Sequence, residues 1–223
     1  MNKPFDLLVF DWDGTLMDSQ ARIVHCLAKS IDDIGAEPRD EAQLSNIIGL
    51  GLAEAIRALY ADADGAFIQA FSEAYRRHFL FEDDTPSQLF PGARGVLEAL
   101  TEAGYLLAVA TGKARRGLDR VLEAEGLAPF FHATRCADET FSKPHPAMLE
   151  EIMVDLDTAP ARTLMIGDTE YDMLMASNAR TQGLAVSYGV HALERLLEHA
   201  SAGHIDDIAE LPAWLGRKTR SAA

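Results

Sequence analysis

LLVFDWDGTL, spanning Leu7 to Leu16, sets four apolar residues directly against two aspartates and a glycine. The unbroken apolar run reads as a strand covered on both faces, as in a parallel sheet. Asp and Gly after it read as a turn, but a turn alone does not explain why the same break recurs. Leu106–Ala110 (LLAVA) stops at Thr111-Gly112-Lys113, and Thr163–Gly167 (TLMIG) stops at Asp168-Thr169-Glu170-Tyr171-Asp172. A fourth run, Leu184–Ser187, follows Gly183, which is placed to end the preceding helix in a left-handed turn. Helical patterns lie between the runs: Ala93–Ala103 with Val96, Leu97 and Leu100; Arg116–Glu125 with Leu118, Val121 and Leu122; Ala147–Leu156 with Met148, Leu149, Ile152 and Met153. Strands alternating with helices of this length predict crossover units and a parallel sheet.

Leu16–Leu89 breaks that rhythm and reads as helix throughout. Ile23, Leu27, Ile31 and Ile34 keep helical spacing, with Asp18 or Ser19 as the N-cap, and Leu52–Tyr60 and Phe67–Phe79 continue the theme. These stripes have to bury somewhere, and burying against one another makes a small helical bundle inserted after the first strand. Its hinges are expected near Gly14–Met17 and Pro86–Gly92. The aromatic stripe Phe67, Phe71, Tyr75 and Phe79 is read as core of the bundle, with a pocket lining as the alternative.

The chain has 223 residues, enough for one medium α/β domain with an insertion or for two small domains. A net charge of -15, from 35 acidic and 20 basic side chains, argues against nucleic acid as the main partner, which requires a positive patch. It leaves room for a small phosphorylated ligand, since one metal ion and one lysine invert a local field. Cys26 and Cys136 are expected to stay reduced. MNKPFDLLVFDWD meets acid too early for a signal peptide, and no apolar run approaches membrane-spanning length, so a cytoplasmic protein without a membrane partner is expected. The C-terminal LGRKTRSAA is mildly basic and reads as a frayed end.

In an open parallel sheet, ligands bind outside the carboxyl ends of the strands. Three distant stretches therefore deliver polar residues to one edge. Carboxylates meeting in one cleft repel unless a cation joins them, and oxygen ligands without a cysteine or histidine cluster favour Mg²⁺ or a similar hard ion. Asp11 and Asp168 sit at strand ends and can ligate directly. Asp172, four residues on, can face the same ion if a helix starts there, or can simply serve that helix start. Lys143, in the stiff loop Phe141-Ser142-Lys143-Pro144-His145-Pro146, supplies a positive charge for a phosphate oxygen; Lys113 is a weaker candidate for that task. His145 is read as capping the following helix rather than touching phosphate.

These residues resemble, in order, the motifs of the haloacid dehalogenase-like hydrolase superfamily, in the branch of small phosphatases similar to phosphoglycolate phosphatase. Asp-x-Asp-Gly-Thr-Leu matches at Asp11–Leu16, the strand-end Thr at Thr111, the Lys-Pro pair at Lys143, and Gly-Asp-x-x-x-Asp at Gly167, Asp168 and Asp172. Trp12 departs from the more usual Phe or Leu between the aspartates. The resemblance implies an α/β, Rossmann-like parallel-sheet core with helices on both faces (1–15 and 90–223) and an inserted helical-bundle cap (16–89).

It further implies a Mg²⁺-dependent phosphomonoesterase acting on a small phosphate ester. Asp11 would be the nucleophile that forms an aspartyl-phosphate, and Asp13 the acid and then the base. Thr111, Gly112 and Lys143 would hold phosphate oxygens. Asp11, the Asp13 carbonyl, Asp168 and, through water, Asp172 would hold the metal. Retention of Asp13 favours a phosphatase over a dehalogenase, and Lys29, in an ordinary amphipathic helix, gives little support to a phosphonate-cleaving relative. A sugar-phosphate mutase and a non-catalytic acidic scaffold are the alternatives. An inward-pointing arginine among Arg22, Arg39, Arg57, Arg76 and Arg77 would favour a carboxylate-bearing substrate such as 2-phosphoglycolate.

Overall fold

The computed structural model describes residues 3–221. Leu7–Phe10 forms β1, buried at every residue, and it is the axis of a six-stranded parallel sheet. Leu106–Thr111 (β4) pairs on one side of β1 and Thr163–Gly167 (β6) on the other, with Leu7 opposite both Leu106 and Thr163. Adding Ala133–Cys136 (β5), Gln182–Val186 (β7) and Gly203–Ile205 (β8) gives the order β5-β4-β1-β6-β7-β8. The chain reverses its direction of travel across the sheet beside β1, which opens a crevice at the carboxyl ends of β1, β4 and β6.

Alternate side chains of β1 explain why both faces need cover. Leu8 and Phe10 pack with Leu97 of Ala93–Glu102 (α5), Leu118 of Arg115–Ala124 (α6) and Leu211 of Leu211–Ser221 (α10). Leu7 and Val9 pack with Met148 and Ile152 of Ala147–Asp155 (α7) and Met175 of Glu170–Asn178 (α8). The fold is the expected α/β sandwich with an inserted helical-bundle cap.

The insertion holds Gln20–Ile34 (α1), Glu41–Asn46 (α2), Leu52–Leu59 (α3) and Gly65–Arg77 (α4). Ile23, Leu27, Ile31, Leu44, Ile56 and Phe71 make a core of their own there. The segment is not helix throughout. Met17–Asp18 (β2) and Gln88–Leu89 (β3) pair antiparallel where the insertion leaves and rejoins the sheet. Strands of two residues carry no alternation that a sequence pattern could reveal. Ser19 holds the N-cap position of α1, but its hydroxyl makes no cap bond.

Two other expectations are corrected. Helix α8 ends at Asn178 and turns through Arg180, whose φ is 58, so Gly183 does not terminate it. Gly183 lies inside β7, where an added Cβ would sit 3.0 Å from Met173 Sδ; its bareness lets helix and strand pack closely. The C-terminal stretch is no frayed end as far as Ser221. It is part of α10, with Leu215 buried and Trp214 stacked on Phe5 at 6.4 Å; Ala222 and Ala223 lie outside the described residues. Apolar residues at Leu211, Trp214 and Leu215 outweigh the scattered basic ones.

Both cysteines are free, and burial pushes each thiol up to about 12. Among the described residues, no helix is long and apolar enough to cross a membrane.

Candidate active site

Asp11 follows β1, Thr111 ends β4, and Asp168 follows β6, so adjacent parallel strands deliver all three to one crevice. Lys143 reaches them from the loop before α7. Its ammonium lies 2.6 Å from Asp11 Oδ1 and 2.6 Å from Asp172 Oδ1 and has no solvent exposure. The first contact is an aligned hydrogen bond. The second is an ion pair only, which leaves Asp172 Oδ1 without a hydrogen-bond donor. Asp172 Oδ2 is committed elsewhere, accepting from the Thr169 amide at 3.0 Å and the Thr169 hydroxyl at 2.7 Å in the capping box of α8. The helix-start role and the site role of Asp172 are thus divided between its two oxygens.

Asp168 is held as tightly. Thr15 Oγ1 donates to Oδ1 at 2.8 Å and the Val190 amide to Oδ2 at 2.9 Å. Gly14, with φ 86, lies against this carboxylate: a Cβ there would be 2.2 Å from Asp168 Oδ2. A side-chain-free residue able to adopt a left-handed backbone is therefore required in the first motif.

Oxygens of Asp11, Asp168 and Asp172 come within 4.8 Å of one another. Three carboxylates against one ammonium leave an excess of two negative charges if all ionise. Burial and this crowding together shift the ionisation of the group. Burial, with Asp172 adding to it, pushes the Asp168 carboxyl up to about 7. Burial raises Asp11 well above the usual carboxylate range against the pull of Lys143. Burial disfavours the Lys143 ammonium too, but Asp11 and Asp172 outweigh it and hold that group above its ordinary value. Asp11 Oδ2 has no hydrogen-bond partner. An oxygen-only donor set, an orphaned buried carboxylate oxygen and two excess charges fit a hard divalent cation.

Asp13, two residues from Asp11, has partners of its own outside this trio. Both of its oxygens accept from Lys113 Nζ at 2.9 Å, and Oδ1 also accepts from Ser19 Oγ at 2.7 Å. Lys113 lies 4.6 Å from the centre of the Phe79 ring as well. The sequence points to neither partner: it offers Ser19, with Asp18, as a helix cap and Lys113 as a weaker phosphate candidate, and the Lys113–Asp13 bond joins residues 100 apart.

Thr111 is buried, and its Oγ1 accepts the Lys113 amide at 3.1 Å. Gly112 permits a close approach of the insertion: a Cβ there would lie 2.5 Å from the Leu50 carbonyl oxygen. His145 Nδ1 accepts the Ala147 amide at 3.2 Å, the capping role expected of it.

Asp11, Asp13, Thr111, Gly112 and Lys113 form the core-side floor of a cavity of about 610 Å³. Lys143 sits behind Asp11, between carboxylates. The roof comes from the insertion, which is seated on the core by several bonds. The Gly51 amide donates to Ser142 Oγ at 2.7 Å, Tyr171 Oη donates to the Asn46 carbonyl at 3.1 Å, and Arg195 Nη1 donates to Asn46 Oδ1 at 2.5 Å. The aromatic stripe divides: Phe67 and Phe71 pack in the bundle, whereas Tyr75 and Phe79 also border the cavity.

Comparison with known proteins gives a consistent result. The family profile described as "Haloacid dehalogenase-like hydrolase" matches residues 8–186. "Probable phosphatase IndB" of Dickeya dadantii is 32% identical over 211 residues, 92% of this chain and 91% of that protein. "Phosphoglycolate phosphatase" of Agrobacterium fabrum is 31% identical over 217 residues, covering 95% and 93%. A solved hydrolase from Pseudomonas syringae superposes with a TM-score of 0.84 at 21% identity, covering 95% of this chain and 98% of that one, a likeness of fold.

Proposed function

Because this chain belongs to the haloacid dehalogenase-like hydrolase family, in its phosphoglycolate phosphatase-like branch, we propose that it hydrolyses small phosphomonoesters in two steps through Asp11. It is a phosphatase by family and by its aspartate cluster. The observation that carries the reading is the orphaned Asp11 Oδ2, buried beside Lys143, Asp168 and Asp172 on a residue that borders the cavity.

In the first step Asp11 attacks phosphorus, the P–O bond to the alcohol breaks, and the departing oxygen takes a proton from Asp13. In the second, Asp13 removes a proton from water as it attacks the aspartyl-phosphate, releasing inorganic phosphate and restoring Asp11. Asp13 serves both halves because the proton it gives in one is the proton it lacks in the next. Its two oxygens are engaged by Lys113, so that ammonium has to move onto the incoming phosphate before Asp13 can face the leaving oxygen. Thr111 and Gly112 would receive the remaining phosphate oxygens. Lys143 holds Asp11 in place and offsets its charge.

Asp11, the Asp13 carbonyl and Asp168 would hold a Mg²⁺ ion, with Asp172 acting through water. When bound, the ion offsets repulsion between a carboxylate and a phosphoryl group. Residues 16–89 are proposed as the cap and 1–15 with 90–223 as the core, the cap excluding water from the reacting groups.

The names of relatives make 2-phosphoglycolate the reference substrate. Of the insertion's arginines, Arg76 borders the large cavity, and Arg22, which donates to the carbonyls of Phe79 and Asp83, borders a smaller one of about 180 Å³ with Asp13 and Lys113. The test is release of phosphate, with and without Mg²⁺, from an aryl phosphate and a panel of phosphorylated metabolites. Mg²⁺-dependent turnover of at least one ester is expected. No turnover on any would return the chain to the class of binding proteins.

A further inference from the structure

The chamber above Asp11 has the wrong walls for a two-carbon acid. Ile23 and Leu27 of α1, Ile48 before α3, Leu52 of α3, and the rings of Tyr75 and Phe79 border it from the insertion. Ile23, Leu27 and Ile48 also belong to the core of the bundle, so this side of the cavity is continuous with packed apolar structure. A cavity of about 610 Å³ falls in the range that encloses ligands far larger than glycolate. 2-Phosphoglycolate, with nine heavy atoms, occupies on the order of 150 Å³, about five water volumes. A carboxylate set against these aliphatic side chains would lose hydration and gain no donor from them. Of the cations bordering the cavity, Lys113 is paired with Asp13, and Arg76 and Arg116 are solvent-exposed.

We infer that the alcohol released by this enzyme is a hydrophobic group well beyond two carbons, seated among Leu27, Ile48, Leu52, Tyr75 and Phe79. The inference rests on the phosphatase reading for its orientation, with phosphate at Asp11 and the apolar body towards the insertion. Transfer of each methylene from water to such a wall favours the bound state by about fourfold.

The experiment is a homologous series chosen so that leaving-group basicity stays constant: ethyl, butyl and hexyl phosphate, with 2-phosphoglycolate as reference, assayed with Mg²⁺. We expect kcat/KM to rise about fourfold per methylene and hexyl phosphate to exceed 2-phosphoglycolate by at least tenfold. A flat or falling series, or 2-phosphoglycolate as the best member, overturns the inference while leaving the phosphatase reading intact. Calorimetric binding of ethyl- and hexylphosphonate separates the two ideas in the other direction. Affinity that rises with chain length in the absence of any turnover supports the chamber and defeats the phosphatase reading; equal affinity for both defeats the chamber. Ala53 borders the same space from α3. Ala53→Phe should lower the hexyl-to-ethyl ratio of kcat/KM at least fivefold, and an unchanged ratio in folded protein counts against the assignment.

Discussion

The two ends of the cavity are built by opposite rules. At the core end, Asp11, Asp168, Asp172 and Lys143 have almost no exposure, and each is pinned by a named partner. At the insertion end, buried aliphatic side chains and two stacked rings, Tyr75 and Phe79 at 5.6 Å, make a mainly apolar surface. Charge placed in a low-dielectric site acts strongly and tolerates little displacement, whereas apolar walls accept a range of shapes. One end is therefore suited to recognise a single group, phosphoryl, and the other to admit a class of alcohols. Substitutions should be severe at the first end and graded at the second.

The sharpest break of that contrast is Asp11→Asn. Loss of the nucleophile should lower kcat by on the order of 10⁴ or more, since residues that act as a unit are not replaced by the rest. A near-normal rate under Mg²⁺ would defeat the mechanism. Lys143→Met comes next. It strands Asp11 and Asp172 without their shared cation, so kcat should fall by about 10²-fold, and denaturant unfolding should register a loss of about 3–5 kcal/mol. A variant as stable as the parent would mean that the ammonium is not holding the carboxylates together.

A third prediction uses pH and metal. With its carboxyl pushed up to about 7 from an ordinary 3.8, folded Asp168 keeps a proton that the unfolded chain has already lost. Metal-free stability from this group therefore falls as pH rises through that window. A divalent cation replaces the proton, so the rise in Tm produced by Mg²⁺ should be larger at pH 8 than at pH 5. At a hundredfold excess over Kd the stabilisation is about 2.7 kcal/mol. A Mg²⁺ effect equal at both pH values would place the ion elsewhere. The smallest effect belongs to the chamber. Ile23→Val should cost about 1 kcal/mol of stability and change turnover of ethyl phosphate less than twofold. A hundredfold loss there would show the insertion to be as exacting as the core.

Much of the core end was legible because its residues stand where strands stop. Asp11, Thr111 and Asp168 each close an apolar run, and parallel packing forces those ends together. The insertion was legible only as helices. Nothing local marks Met17–Asp18 and Gln88–Leu89 as partners, because a two-residue strand is defined by its neighbour. Gly183 misled because a glycine after a helix has two uses, a left-handed turn and a close contact, and only the position of Met173 distinguishes them. The C-terminal stretch reads as basic and frayed in sequence because the burial of Trp214 depends on Phe5 at the other end of the chain.

By itself the amino-acid order determined the α/β rhythm, the family and the set of carboxylates, since all three follow from periodicity and from motifs read along one dimension. The tertiary structure decided how those groups divide their labour. Lys143 went to Asp11 and Asp172, Lys113 to Asp13, and a roof of isoleucine, leucine and aromatic rings was set over the floor. Pairing of charges and the character of an enclosed space depend on distances between segments far apart in the chain, and those distances exist only once the sheet and the insertion have packed.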